Sequence, residues 1–167
     1  VPADLIEEGV SVMMVNSGRC ATGALPGGSK TGNYLTNLMA LGRARRHGHY
    51  EAVLVQSDGL LAEGGSSNVF VVRNGQVKTP RLSTGILPGI TRDIVMHQGR
   101  SLGIHMEETD LVPGDLLAAD EAFLTSTLRE VLPVVRVDAS TIGDARPGPV
   151  TLGIRQAYLE RVNPRNR

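Results

Sequence analysis

A chain of 167 residues, 41% hydrophobic, has enough apolar material for one globular domain with a real core, though aromatics are only 3% and Trp is absent. Its 17 basic and 17 acidic residues cancel and no basic stripe appears, so no nucleic-acid partner is expected. No apolar run approaches the roughly 18 residues of a membrane span, so no membrane partner is expected either.

The opening "VPADLIEEG", residues 1–9, reads as a linker and not as a signal peptide. "VSVMMVN", rich in β-branched and apolar residues, predicts a strand over 10–16. A Gly/Pro-rich stretch runs to Ser29 and contains Cys20, the single cysteine. One cysteine precludes an internal disulfide and suits a reducing, cytoplasmic compartment; its ordinary reading is a small packed side chain. A helix is expected from about Thr31 to His47, with Leu35, Leu38, Met39 and Leu41 or Ala44 as its apolar stripe. Arg43, Arg45 and Arg46 crowd its C-terminal end, where cations complement the helix dipole.

Short strands follow: "EAVLVQ", the turn "SDG", "LLAEGGSSNVFVVR", the turn "NG" and "QVKTP". Residues 83–102 place a Pro-Gly turn before a second helix. "IHMEETDL" predicts a strand, "VPGDLLAAD" a short helix, and "EAFLTSTLREVLPVVRVD" a strand, a polar turn and a strand. A last helix, "PGPVTLGIRQAYLERV", carries Pro149 near its first turn. Antiparallel hairpins beside helical crossovers make the fold class α/β of an irregular kind.

Four places could carry chemistry. Lys30 stands alone after "PGGS", just ahead of a helix. A nucleophilic lysine must be neutral part of the time, and the positive end of a helix disfavours an ammonium. An exposed loop lysine is the plainer alternative. Glu63 ends an apolar stretch and is followed by "GGSSN", small polar residues that let a carboxylate face a cavity; a solvated strand end is the alternative. In "ILPGITRD", Gly89, Ile90 and Thr91 open a helix whose free N–H groups suit an anion, unless Thr91 merely caps it. Ser126 and Thr127 form a second polar turn after an apolar strand. A lysine of lowered pKa, an acid and two phosphate-cradling turns are the parts of a pyridoxal phosphate site.

The segments "SKTGNYLTNLMA", "EGGSSNVF", "LPGITRD", "ADEAFLTST" and "IGDARPGPVT", in that order, resemble the class IV aminotransferases, the fold-type IV pyridoxal-phosphate enzymes. The resemblance spans nearly the whole chain. It implies an irregular pseudo-barrel of mixed strands with flanking helices, and pyridoxal 5'-phosphate as cofactor. Lys30 looks like the lysine that forms the internal aldimine and acts as the catalytic base. Tyr34 matches a tyrosine bonded to the cofactor's phenolic oxygen, and Glu63 the acid on its pyridine nitrogen. Gly89, Ile90 and Thr91 match the helix N-terminus that holds the phosphate, with Ser126 and Thr127 on a second phosphate-side turn. Thr127, Leu128 and Arg129 fall where the family meets substrate; a bulky Leu128 narrows that site and Arg129 adds a carboxylate partner. No metal is implied. The expected reaction is ping-pong transfer of an amino group between an amino acid and a 2-keto acid, in a homodimer.

Two other readings remain: an aminodeoxychorismate lyase that releases pyruvate from the same lysine chemistry, and a cofactor-binding domain without catalysis. By the same resemblance residues 1–9 are an interdomain linker and 10–167 the cofactor-binding large domain. The family's N-terminal small domain, which supplies a phosphate-binding arginine and much of the substrate pocket, is then expected to be absent from this chain.

Overall fold

The computed structural model describes residues 1–18 and 35–163. One sheet organises them. Along it the strands run β3 (Leu61–Gly64), β2 (Glu51–Val55), β1 (Val10–Asn16), β8 (Glu130–Val137), β7 (Glu121–Ser126), β4 (Asn68–Arg73), β5 (Gln76–Pro80) and β6 (Met106–Thr109), with the short β9 (Ser140–Thr141) paired to β8. β1 lies parallel to both β2 and β8, whereas β7 lies antiparallel to both β8 and β4. The sheet curls: Leu61 N–H, on the β3 edge, donates to Leu111 O just beyond the opposite edge strand, 2.7 Å away. This is the mixed α/β half-barrel with flanking helices that the sequence implied.

Period-two alternation sorts the strand residues onto the two faces of this curved sheet. Val69 and Val71 of β4, Ala122 and Leu124 of β7, and Leu132 and Val134 of β8 share one cluster on the inner face. Their sequence neighbours Phe70, Val72, Phe123 and Val131 share a second with Val95 and Met96 of α3 (Ile90–Ser101) and with Ile154 and Tyr158 of α5 (Pro149–Val162). Phe70 and Phe123, the chain's only two phenylalanines, face each other in register and stack with centroids 4.7 Å apart. A third cluster joins β1 and β2 to α2 (Leu35–Arg46) through Val15, Leu54, Ala40 and Ala44. Turn chemistry follows the sequence: Asn74 and Gly75, both at positive φ, make the two-residue β4–β5 hairpin.

Several expectations change. Residues 1–9, expected as a linker, hold regular structure that was not anticipated. Ala3–Glu7 form a short helix, α1, whose Leu5 and Ile6 pack against the inner cluster. On α2 the predicted stripe divides: Leu41 and Ala44 are buried as expected, with Asn37 and Ala40 beside them, but Leu35, Leu38 and Met39 are exposed. Small alanines let the helix backbone approach the sheet closely, which a count of large apolar residues does not weigh. The expected start of that helix near Thr31 lies outside the described residues, as does Cys20. The run from Leu60 to Arg73 is two strands, not one, because Gly64 N–H donates to Ser67 O at 2.6 Å and turns the chain. A Cβ on Gly65 would stand 2.9 Å from Glu51 Oε1, so the turn seats its backbone directly on β2. A 3-10 turn at Leu82–Thr84 and the strand β9 were not anticipated. A helix of five residues, α4 (Pro113–Leu117), falls inside the stretch expected to hold one.

Candidate active site

Glu63, one residue before the end of β3, has its carboxylate held on both sides. Asn37 Nδ2, from α2, donates to Oε1 at 3.3 Å, and Leu87 N–H donates to Oε2 at 2.9 Å. Leu87 is itself gripped twice, because Asn68 Nδ2, at the start of β4, donates to its carbonyl at 2.9 Å. Two residues further on, Gly89 is the N-cap of α3, and a Cβ there would collide with Asn68 Oδ1. The acid and the start of the helix are therefore locked together by one peptide unit and one asparagine.

No side chain caps α3, and its first turn leaves N–H groups for an anion. Thr91 is inside that turn and buried, so the reading of Thr91 as a simple N-cap falls; the cap is Gly89. Ile90 has a 77% exposed side chain, which leaves its backbone N–H as its polar contribution. Across from this helix, β7 runs into the turn of Ser126 and Thr127. Ser126 Oγ accepts from Arg129 N–H at 3.2 Å and closes the turn. The neighbouring Thr125 hydroxyl is buried without a hydrogen-bond partner among the described residues.

Leu128 and Arg129 part company. The Leu128 side chain is 89% exposed, whereas Arg129 folds back. Its guanidinium reaches Glu51 Oε2 at 3.1 Å, Ser66 Oγ at 2.8 Å and the Ser66 carbonyl at 3.3 Å, and lies 5.4 Å from the centre of the Tyr50 ring. Glu51 is wholly buried at the start of β2; it also accepts from its neighbour Ala52 N–H at 3.0 Å and from Ser66 Oγ–H at 2.9 Å.

The structure thus draws Glu63, Gly89, Ile90 and Thr91 into one network through Leu87 and Asn68. It joins the Ser126–Arg129 turn to the loop after Glu63 through Ser66. Lys30 and Tyr34 lie outside the described residues. Among these no group of three or more His, Cys, Asp or Glu is placed to hold a metal ion. Sequence reasoning passed over Asn37, Asn68, Leu87, Glu51 and Ser66. Two signals were available: an asparagine inside a helix, where it is ordinarily unfavourable, and a carboxylate heading the apolar strand "EAVLV".

The family model for amino-transferase class IV matches residues 2–137. The branched-chain-amino-acid aminotransferase of Escherichia coli K12 is 38% identical over 94% of this chain and 51% of its own length. A D-alanine aminotransferase of Bacillus licheniformis is 41% identical over 80% of the chain and 47% of its own. A solved branched-chain amino acid aminotransferase from Thermobaculum terrenum, in its PLP form, superposes with a TM-score of 0.90 at 34% identity, over 99% of this chain and 54% of that one. The chain belongs to the class IV aminotransferases. It spans about half the length of the curated relatives it matches.

Proposed function

We propose that this chain is the cofactor-binding large domain of a pyridoxal-5'-phosphate-dependent aminotransferase that moves an amino group between an amino acid and a 2-keto acid. The observation that carries the reading is the Leu87 peptide, whose N–H meets the Glu63 carboxylate at 2.9 Å two residues before the uncapped start of α3. It sets an acid and an anion-binding helix end a fixed distance apart, as a ligand with a basic ring nitrogen and a phosphate requires. The residues present fit such a group. Gly89, which has no room for a Cβ beside Asn68, keeps the mouth of the helix narrow, and the buried Thr125 hydroxyl adds hydrogen-bonding capacity next to the second turn.

Glu63 would hold the ring nitrogen protonated; the N–H groups of Ile90 and Thr91, with Ser126 and Thr127, would hold the phosphate. When bound, the cofactor supplies an electron sink for charge developing at the substrate α-carbon. Asn37 and Leu87 keep Glu63 aimed. Lys30 takes the α-proton on Nζ and returns it, which requires a neutral amine at the moment of transfer. Tyr34 orients the ring's phenolic oxygen. Thr127 and the exposed Leu128 stand on the substrate side. The relatives' names favour branched-chain amino acids as donors. The family resemblance supports a homodimer, a cytoplasmic setting, and the division into a linker at 1–9 and a large domain at 10–167, with the small domain supplied from outside these residues.

The test is cofactor trapping. The chain mixed with pyridoxal phosphate should gain a visible absorbance band that Lys30→Ala abolishes, and borohydride followed by peptide mapping should find the label on Lys30. A label on Lys78, the chain's only other lysine, overturns the assignment. Transfer to 2-oxoglutarate, assayed with L-leucine and with D-alanine, then separates the two kinds of relative.

A further inference from the structure

Arg129 sits one residue past the Ser126–Leu128 turn, where a free guanidinium would meet a substrate carboxylate. Its surroundings forbid that. Glu51 is 0% exposed, and a carboxylate taken that far out of water needs a charge partner. Arg129 is that partner at 3.1 Å, with only 13% of its own side chain exposed. The other arm of the planar fork holds Ser66 Oγ at 2.8 Å. Ser66 in turn donates to Glu51 Oε2 at 2.9 Å, so its one hydroxyl both accepts and donates inside the cluster. Swinging Arg129 out to a ligand would leave Glu51 charged and unpaired in the interior and release Ser66.

We propose that Arg129 is a positioning residue: with Glu51 it clamps the β3–β4 loop to the β7–β8 turn through Ser66, and it does not bind substrate. The loop so held connects Glu63 to Asn68, the two residues that grip Leu87. The clamp therefore fixes the spacing between the acid side of the site and the turn that carries Thr127. By anchoring its own side chain inward, Arg129 also fixes the outward stance of Leu128. The consequence for substrate choice rests on the aminotransferase reading: the carboxylate of the amino acid is met without a guanidinium from this turn, and the clamped Leu128 sets the width of the pocket.

Amide exchange on the full 167-residue chain without cofactor tests the clamp directly. Gly64 N–H, bonded to Ser67 O, and Gly65 N–H, bonded to Ala52 O, report on the loop. Loss of a charge-assisted bond should speed exchange at both by about tenfold in Arg129→Met, in Glu51→Gln and in Ser66→Ala. The last variant keeps the ion pair and so keeps the fold. Amides of the distant Asn74–Gly75 hairpin should not change. Unaltered loop exchange in Ser66→Ala and Arg129→Met, or an equal rise throughout the molecule, overturns the clamp. In preparations that turn over, Glu51→Gln and Arg129→Met should shift the KM for 2-oxoglutarate in the same direction, with the double variant no worse than Arg129→Met alone. If Arg129 were a carboxylate partner, Glu51→Gln would free it and lower KM while Arg129→Met raised it, and opposite signs would sink the proposal. Failure to bind cofactor would count against the aminotransferase reading and leave the exchange result standing.

Discussion

Asn37 shows how far a single polar side chain can reach into a site. It is buried on α2, and its amide donates to Glu63 Oε1, so α2 is tied to the acid of β3. A hydrogen bond to a charged group is worth more than one between neutral groups. Asn37→Ala should therefore lower stability by about 1–2 kcal/mol, read from the urea midpoint at pH 7. In a double-mutant cycle with Glu63→Gln, the two effects should fall short of additivity. Strictly additive losses would mean that the 3.3 Å contact contributes nothing.

Among elements, α5 begins in an unusual way. Gly148 is its N-cap and offers no side chain, and Pro149 has no N–H to satisfy. The missing cap comes from another element: Glu121, at the start of β7, accepts from Val150 N–H at 3.0 Å and from Thr151 N–H at 2.7 Å. Glu121 is only 8% exposed, and its carboxylate opposes the positive end of the helix. Glu121→Ala should cost about 2–3 kcal/mol, since it removes two charge-assisted bonds together. Glu121→Gln, which keeps one acceptor, should cost less. Thermal melts followed by far-UV dichroism decide it; equal losses in both variants would assign the effect to packing instead.

On the scale of the whole molecule, one curved sheet carries both apolar faces, so the two are expected to unfold as one cooperative unit. Phe123 and Leu124 are neighbours in β7, yet Phe123 belongs to the helix-facing cluster and Leu124 to the inner one, and both are 0% exposed. Truncation to Ala should cost about 3–5 kcal/mol at Phe123 and about 2–5 kcal/mol at Leu124. Each variant should still unfold in a single transition, with tyrosine fluorescence and far-UV dichroism coincident. Separate transitions would show that the two faces melt independently.

Some of this was written in local sequence. Period-two patterns such as "NVFVVR", the Asn74–Gly75 turn and Pro149 at a helix start act over a few residues, and they put most strands and helices in their observed places. The motifs around Glu63, Gly89–Thr91 and Ser126–Thr127 could likewise be picked out as candidates, because short runs of glycine and small polar residues stand out between apolar strands and helix starts. What the sequence could not disclose were relations between distant segments. Which face of α2 would be buried was decided by how closely Ala40 and Ala44 could approach the sheet, against the larger Leu35, Leu38 and Met39. The grip of Asn37 and Leu87 on Glu63 spans 26 and 24 residues, and Arg129 reaches Ser66 across 63. A side chain's partners at such separations depend on sheet order and curvature, and so only the tertiary structure discloses that the Arg129 guanidinium is the counter-charge of a buried Glu51.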